Sequence, residues 1–192
     1  MSEPLSNALV SQAEELIGLG KYQEAFQPAQ DAIKAGDHNP RAYFVFGVAL
    51  LHLGMAKEAI VALAQAIELE PLNSNAHNNM GTAHRYLGRL AEAGYHYRRA
   101  ILQDPNHVNA RVNLSGVLCD MRQYAEAAEQ CRIALNLNPA KAEAHHGLAE
   151  ALRGQGKRDA AIEAYRKALE LAPQLELAQR RLAELLDGER ND

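Results

Sequence analysis

The stretch from Ser74 to His107 reads SNAHNNMGTAHRYLGRLAEAGYHYRRAILQDPNH, and the rest of the chain is a set of variations on it. Met80, Gly81 and His84 recur at helical spacing along its first half. Gly88 interrupts the pattern, and Ala93, Tyr97 and Ala100 then form a second stripe at steps of four and three. Glycine ends a helix well because it enters the left-handed region without a Cβ penalty. Pro105 closes the second segment, since a proline cannot continue a helical hydrogen-bond ladder. The unit therefore reads as two antiparallel helices around a tight turn.

Stepping by 34 residues carries Leu19 to Leu53 and Leu87, each followed by glycine. The same step links Ala25, Ala59, Ala93, Ala127 and Ala161, and separately Ala32, Ala66, Ala100, Ala134 and Ala168. Pro71, Pro105, Pro139 and Pro173 make a further column, with Asp37 in its first place. Columns that coincide at one period mark an array of like units, none of which can bury its apolar face alone. No segment alternates with period two, so no sheet is expected.

The columns of alanine, the glycine turns and the closing prolines resemble those of the tetratricopeptide repeat family. The resemblance covers repeats 6–39, 40–73, 74–107, 108–141 and 142–175, with a capping helix over 176–187, as one domain spanning 1–192. It implies an all-α, right-handed superhelical solenoid of antiparallel helix pairs whose first helices line a concave groove. Two departures are visible. Arg122 stands where a turn glycine is expected, and Pro28 falls inside the second helix of repeat 1, predicting a kink or a late start there. In the cap, Leu182, Ala183 and Leu186 are expected to face inward, with Gln179, Arg180 and Glu184 toward water.

The resemblance places Arg41, Phe44, Val45, Val48 and Leu51 of repeat 2 on the groove. It does the same for Asn75, Asn78, Asn79 and Thr82 of repeat 3, Asn109, Val112 and Asn113 of repeat 4, and His146 of repeat 5. Asparagine is a poor helix former, costing about 0.5 kcal/mol relative to alanine. Its repetition at Asn75 and Asn109, and at Asn79 and Asn113, therefore asks for another reason. A primary amide both donates and accepts, so it can pair with a peptide backbone whatever the side chains. Solvation of an exposed face is the plainer reading. The first helix of repeat 2 is apolar nearly all round, which implies cover on both sides, from neighbouring repeats or from a partner's side chain. The family's carboxylate-clamp mode is not expected, because only Asn79 fits it and the required cations are missing.

Other chemistries find little support. The formal net charge is −4, without the clustered Lys and Arg of a nucleic-acid groove. The longest apolar run, Ala42 to Leu51, is shorter than the roughly 20 residues that span a bilayer. The start lacks a basic stretch followed by an apolar run, and the two cysteines read as reduced thiols, which points to a cytoplasmic protein. Gly18 to Gly20 and Gly154 to Lys157 are inter-helix turns rather than phosphate loops. No catalytic constellation, metal site or cofactor motif is found among the eight histidines and two cysteines. The expectation is a non-catalytic scaffold that holds an extended peptide or a partner helix. The alternatives are a substrate-recruiting module of a glycosyltransferase- or sulfotransferase-like enzyme whose catalytic part is elsewhere, and a homo-oligomer.

Overall fold

The computed structural model describes residues 2–36 and 38–187, so Asp37, the first member of the proline column, lies outside the described residues. The described residues form α-helices without strands, in adjacent antiparallel pairs. Two compact units divide them at Asp104 and Pro105.

The first unit holds three pairs. These are α1 (Ser2–Gly18) with α2 (Tyr22–Ala35), α3 (Pro40–His52) with α4 (Ala56–Leu69), and α5 (Ser74–Tyr86) with α6 (Leu90–Gln103). The first helices also pack flank to flank, α1 on α3 and α3 on α5. The second unit holds α7 (Val108–Asp120) with α8 (Tyr124–Leu137), α9 (Ala142–Gly154) with α10 (Arg158–Leu171), and the final α11 (Glu176–Asp187) on α10.

The turn between the helices of a pair is built alike five times. In repeat 2 the Met55 amide donates to the Leu50 carbonyl at 2.9 Å, and Gly54 between them has φ of 78°. The same closure runs from Lys21 to Leu16, Arg89 to His84, Gln123 to Leu118 and Lys157 to Leu152. It satisfies carbonyls that a helix end would otherwise leave bare. Repeat 4 makes it without glycine: Arg122 sits at φ of 60°, the left-handed conformation its place in the turn demands. First helices are capped by side chains where the residue allows. Asn73 Oδ1 accepts from the Ala76 amide at 2.9 Å, and Asn39 accepts from the Arg41 amide at 3.1 Å.

Both alanine columns are fully buried, at 0 % exposure in all ten positions. They let paired helices approach closely while Tyr97, Tyr165, Leu63 and Leu114 fill the space between. Pro28 neither ends α2 nor delays its start, because the helix runs through it from Tyr22. Removing one amide donor is tolerable in a helix whose Ala25, Ala29 and Ala32 are anchored in the core. In the cap, the inward face is Ala178, Leu182 and Leu185. Ala183 is exposed, contrary to the sequence expectation, because the stripe begins at Ala178 and steps by four and three.

Candidate functional site

In the first unit the flank-to-flank packing of α1, α3 and α5 makes one wall, and this packing decides which predicted residues can be reached. Val45 cannot be: it is 1 % exposed, in a cluster with Val10, Ala13 and Ala42. Leu51, 4 % exposed, is buried in a cluster that includes Ala83 of α5. The expectation that these two line an open groove is corrected by the structure. Neighbouring first helices press together at those positions, and the side chains between them become core. Phe44 is half-buried against the Val45 cluster, and Val48 is half-buried on the same helix. The apolar character of α3 is thus mostly explained by cover from its own neighbours.

The polar positions divide in two. Arg41 is tied to Glu14 of α1, its Nη2 lying 3.0 and 2.8 Å from the two carboxylate oxygens. Thr82 donates to the Asn78 carbonyl at 3.2 Å and meets the Tyr97 hydroxyl at 3.1 Å, so its hydroxyl serves the fold. Asn78 also has a partner within the chain. Asn75 is exposed and Asn79 half-buried, and neither side-chain amide forms a hydrogen bond among the described residues. Tyr86, at the end of α5, is 66 % exposed. The sequence expectation does not include it, although the same register that selects Arg41 places it on the first-helix face. Its counterpart in repeat 2, His52, lies flat on Tyr22, with ring centroids 3.8 Å apart.

Behind this wall, α5 and α6 hold a stack of histidines. His77 Nδ1 and His96 Nδ1 are 3.1 Å apart, and the His84 ring lies 5.3 Å from His96 at an interplanar angle of 9°. Only one nitrogen of the close pair can carry the proton of that hydrogen bond. Burial, and then the mutual repulsion of the three rings, lowers His96 to about 4. Burial lowers His77 and His84 as well. The rings pack as neutral imidazoles, and no group of three or more potential ligands among the described residues is arranged for a metal.

In the second unit Asn109 is exposed, while Val112 and Asn113 are half-buried. Asn113 has a partner within the chain. His146 belongs to a polar cluster centred on Glu150. Arg153 Nη2 donates to Glu150 Oε2 at 2.8 Å, and the Tyr165 hydroxyl donates to Oε1. Arg181 Nε of α11 is 3.7 Å from the same oxygen, and His146 Nε2 is 4.0 Å away. Burial raises the Glu150 carboxyl, but the hydrogen bonds from Arg153 and Tyr165 outweigh it, so the group stays below its ordinary value. Cys119 is half-buried and its thiol is pushed up to about 12, chiefly by burial, so it is a poor nucleophile. Cys131 is fully buried, and both thiols are free.

Comparison with known proteins agrees with this architecture. Tetratricopeptide repeat family models match residues 10–71, 74–107 and 142–175, together more than half of the chain. The chain belongs to the tetratricopeptide repeat family. Among solved structures it is similar to TTC0263, a thermophilic TPR protein of Thermus thermophilus. That similarity has a TM-score of 0.76 at 22% identity, covering 94% of this chain and 98% of that one. It is similar to PilW, a type IV pilus biogenesis factor, with a TM-score of 0.83 at 23% identity over 95% and 86% of the two chains. It is also similar to YrrB, described as a TPR protein with an unusual peptide-binding site, with a TM-score of 0.71 at 21% identity over 90% and 89%. At these identities the likeness shows the fold alone. No match was found among curated proteins. Among the described residues, no helix is long and apolar enough to cross a membrane.

Proposed function

We propose that this protein is a non-catalytic scaffold whose first-helix wall, in the unit containing α1 to α6, holds an extended peptide or a partner helix. One observation carries the reading. Asn79 is half-buried on α5, its amide forms no hydrogen bond among the described residues, and the same helix exposes Asn75 and Tyr86. That amide still reaches water, so a ligand that displaces the water must supply a donor and an acceptor in its place. A peptide main chain offers both a donor and an acceptor to that amide, and Tyr86 offers a broad apolar surface with little entropy to lose. The description of YrrB as peptide-binding is consistent with this use of the fold.

The test is selection of peptides from a displayed random library against the full chain, followed by titration of the best binder. Asn79→Ala with Tyr86→Ala should weaken that binder at least about tenfold, roughly 1.4 kcal/mol, with the melting temperature retained. Unchanged affinity would reject the wall as the site.

A further inference from the structure

The five second helices stand in strict register, α2, α4, α6, α8 and α10 each starting 34 residues after the last, so each position has four internal controls. Position 61 is glutamine, tyrosine, glutamate and glutamate in the other repeats (Gln27, Tyr95, Glu129, Glu163), but Val61 in α4 is aliphatic and 66 % exposed. Position 64 is Gln30, Arg98, Arg132 and Arg166 elsewhere, and here an exposed Ala64. Position 55 is Lys21, Arg89, Gln123 and Lys157 elsewhere, and here Met55. Solvation explains α2, α8 and α10 at these places; α6 also exposes Tyr95 and Leu102, but it keeps Arg89 and Arg98 where α4 has Met55 and Ala64. Between α2 and α4, a cleft of about 550 Å³ is lined by Phe26, Phe46, Met55 and Val61 together with Lys34 and Glu58. The cleft at the equivalent place in the second unit is lined in part by Arg132, His145, Glu163 and Lys167. At 55, 61 and 64 the outer face of α4 therefore lacks the long polar side chains found there in most other repeats, while Lys57 and Glu68 keep its two ends charged.

The occupant can be read from the charges flanking the apolar pair. Lys57, Val61, Ala64 and Glu68 fall at steps of four, three and four, a single exposed stripe along α4. Lys57 forms no ion pair among the described residues, and Glu68 accepts only from Gln65 Nε2, at 3.0 Å on one oxygen. The stripe is complementary to itself when reversed. Both pairs are centred midway between Ala62 and Leu63, so one two-fold axis sets Lys57 against Glu68 and Val61 against Ala64 at the same time. An isologous contact requires this relation, residue i meeting j while j meets i. Small Ala64 lets the two helices approach, Val61 fills the space above it, and the two ion pairs fix the direction.

We infer that the outer face of α4 is a homodimer seam, in which α4 of one copy packs antiparallel on α4 of a second copy.

Sedimentation velocity of the full chain from about one to a few hundred micromolar tests this, across the range in which a modest interface dissociates. A concentration-dependent dimer is expected. Val61→Glu should raise its dissociation constant at least about tenfold, with helix content unchanged because the residue is exposed. Lys57→Glu should weaken the dimer by placing like charges at both ends, and Lys57→Glu with Glu68→Lys should restore it to within about threefold of the parent. A chain that stays monomeric throughout would overturn the inference and leave this face to a helix of another protein. A dimer indifferent to Val61→Glu would also overturn it, as would a charge-reversed pair no better than Lys57→Glu alone.

Discussion

Gly81 lies directly under the ring of Tyr97: a Cβ added at 81 would fall 2.7 Å from Tyr97 Cε1, and the ring itself is 1 % exposed. The pairing recurs sixteen residues apart in other repeats, as Gly47 with Leu63 and Ala149 with Tyr165. A small residue on the first helix thus receives a large one from the second, or, at Ser115 with Cys131, a middle-sized pair shares the space. Ala149 packed with Tyr165 in one buried cluster shows that one methyl can be accommodated at this place. A branched side chain cannot. Gly81→Val should therefore destabilise the unit by about 2 kcal/mol through overpacking, read as a lower urea midpoint at unchanged m-value.

Arg122 occupies the left-handed position that Gly20, Gly54, Gly88 and Gly156 fill in the other turns, at φ of 60° against their 71 to 78°. An L-residue there costs about 1 kcal/mol or more, and nothing in the turn's hydrogen bonding needs the side chain. Arg122→Gly should raise the stability of the unit containing α7 and α8 by about 1 kcal/mol in chemical denaturation. Loss of stability would show that the guanidinium makes up for the backbone strain.

These two positions also show why the fold is legible in the sequence. Period, turn glycines and alanine columns are set by backbone geometry and close packing within one repeat, and both leave a signature at fixed spacing. Even the exception at Arg122 can be located from the register alone. The binding surface is less legible, because exposure on a first helix depends on the next repeat as well as on its own. Val45 and Leu51 have the register of groove residues, yet α1 and α5 cover them. Thr82 and Arg41 are on the open face by register but already bonded to Tyr97 and Glu14. Tyr86 escapes a search for apolar anchors on the apolar helix α3, because it stands on the polar neighbour α5.

The His77, His96 and His84 stack makes the first unit sensitive to acid. Burial holds all three rings below the free-histidine value of 6.5, with His96 near 4. Around them Arg99 and Arg89 add positive charge, while Glu92 partly offsets it at His84. Because the folded values are depressed, the unfolded chain binds more protons below 6.5. The stability from the neutral stack is complete above pH 6.5 and is lost progressively as the pH falls toward 4. Thermal melts across this window should show a falling melting temperature, and His96→Gln should flatten the slope. A slope identical in the variant would mean that other groups set the acid response.

Glu150 is the fastener for the last helix. Its carboxylate receives Arg153 from α9 and Tyr165 from α10, and it faces Arg181 of α11, whose Nη1 also reaches Glu184 at 2.9 Å. The apolar seat of α11 is modest, with Ala178 its one fully buried residue and Leu182 and Leu185 half-buried. Electrostatic fastening should therefore weigh more here than at interior helices. Glu150→Ala would leave Arg153 and the Tyr165 hydroxyl without their acceptor, a loss of about 1–3 kcal/mol for a charge-assisted network. The damage should be local. Amide exchange should speed up first along α11 and then in α10, while α5 and α6 keep their protection. Tyr165→Phe removes only one donor and should give a smaller effect in the same place. Uniform loss of protection across the second unit would show instead that α11 and α10 unfold as one cooperative piece with α7 to α9.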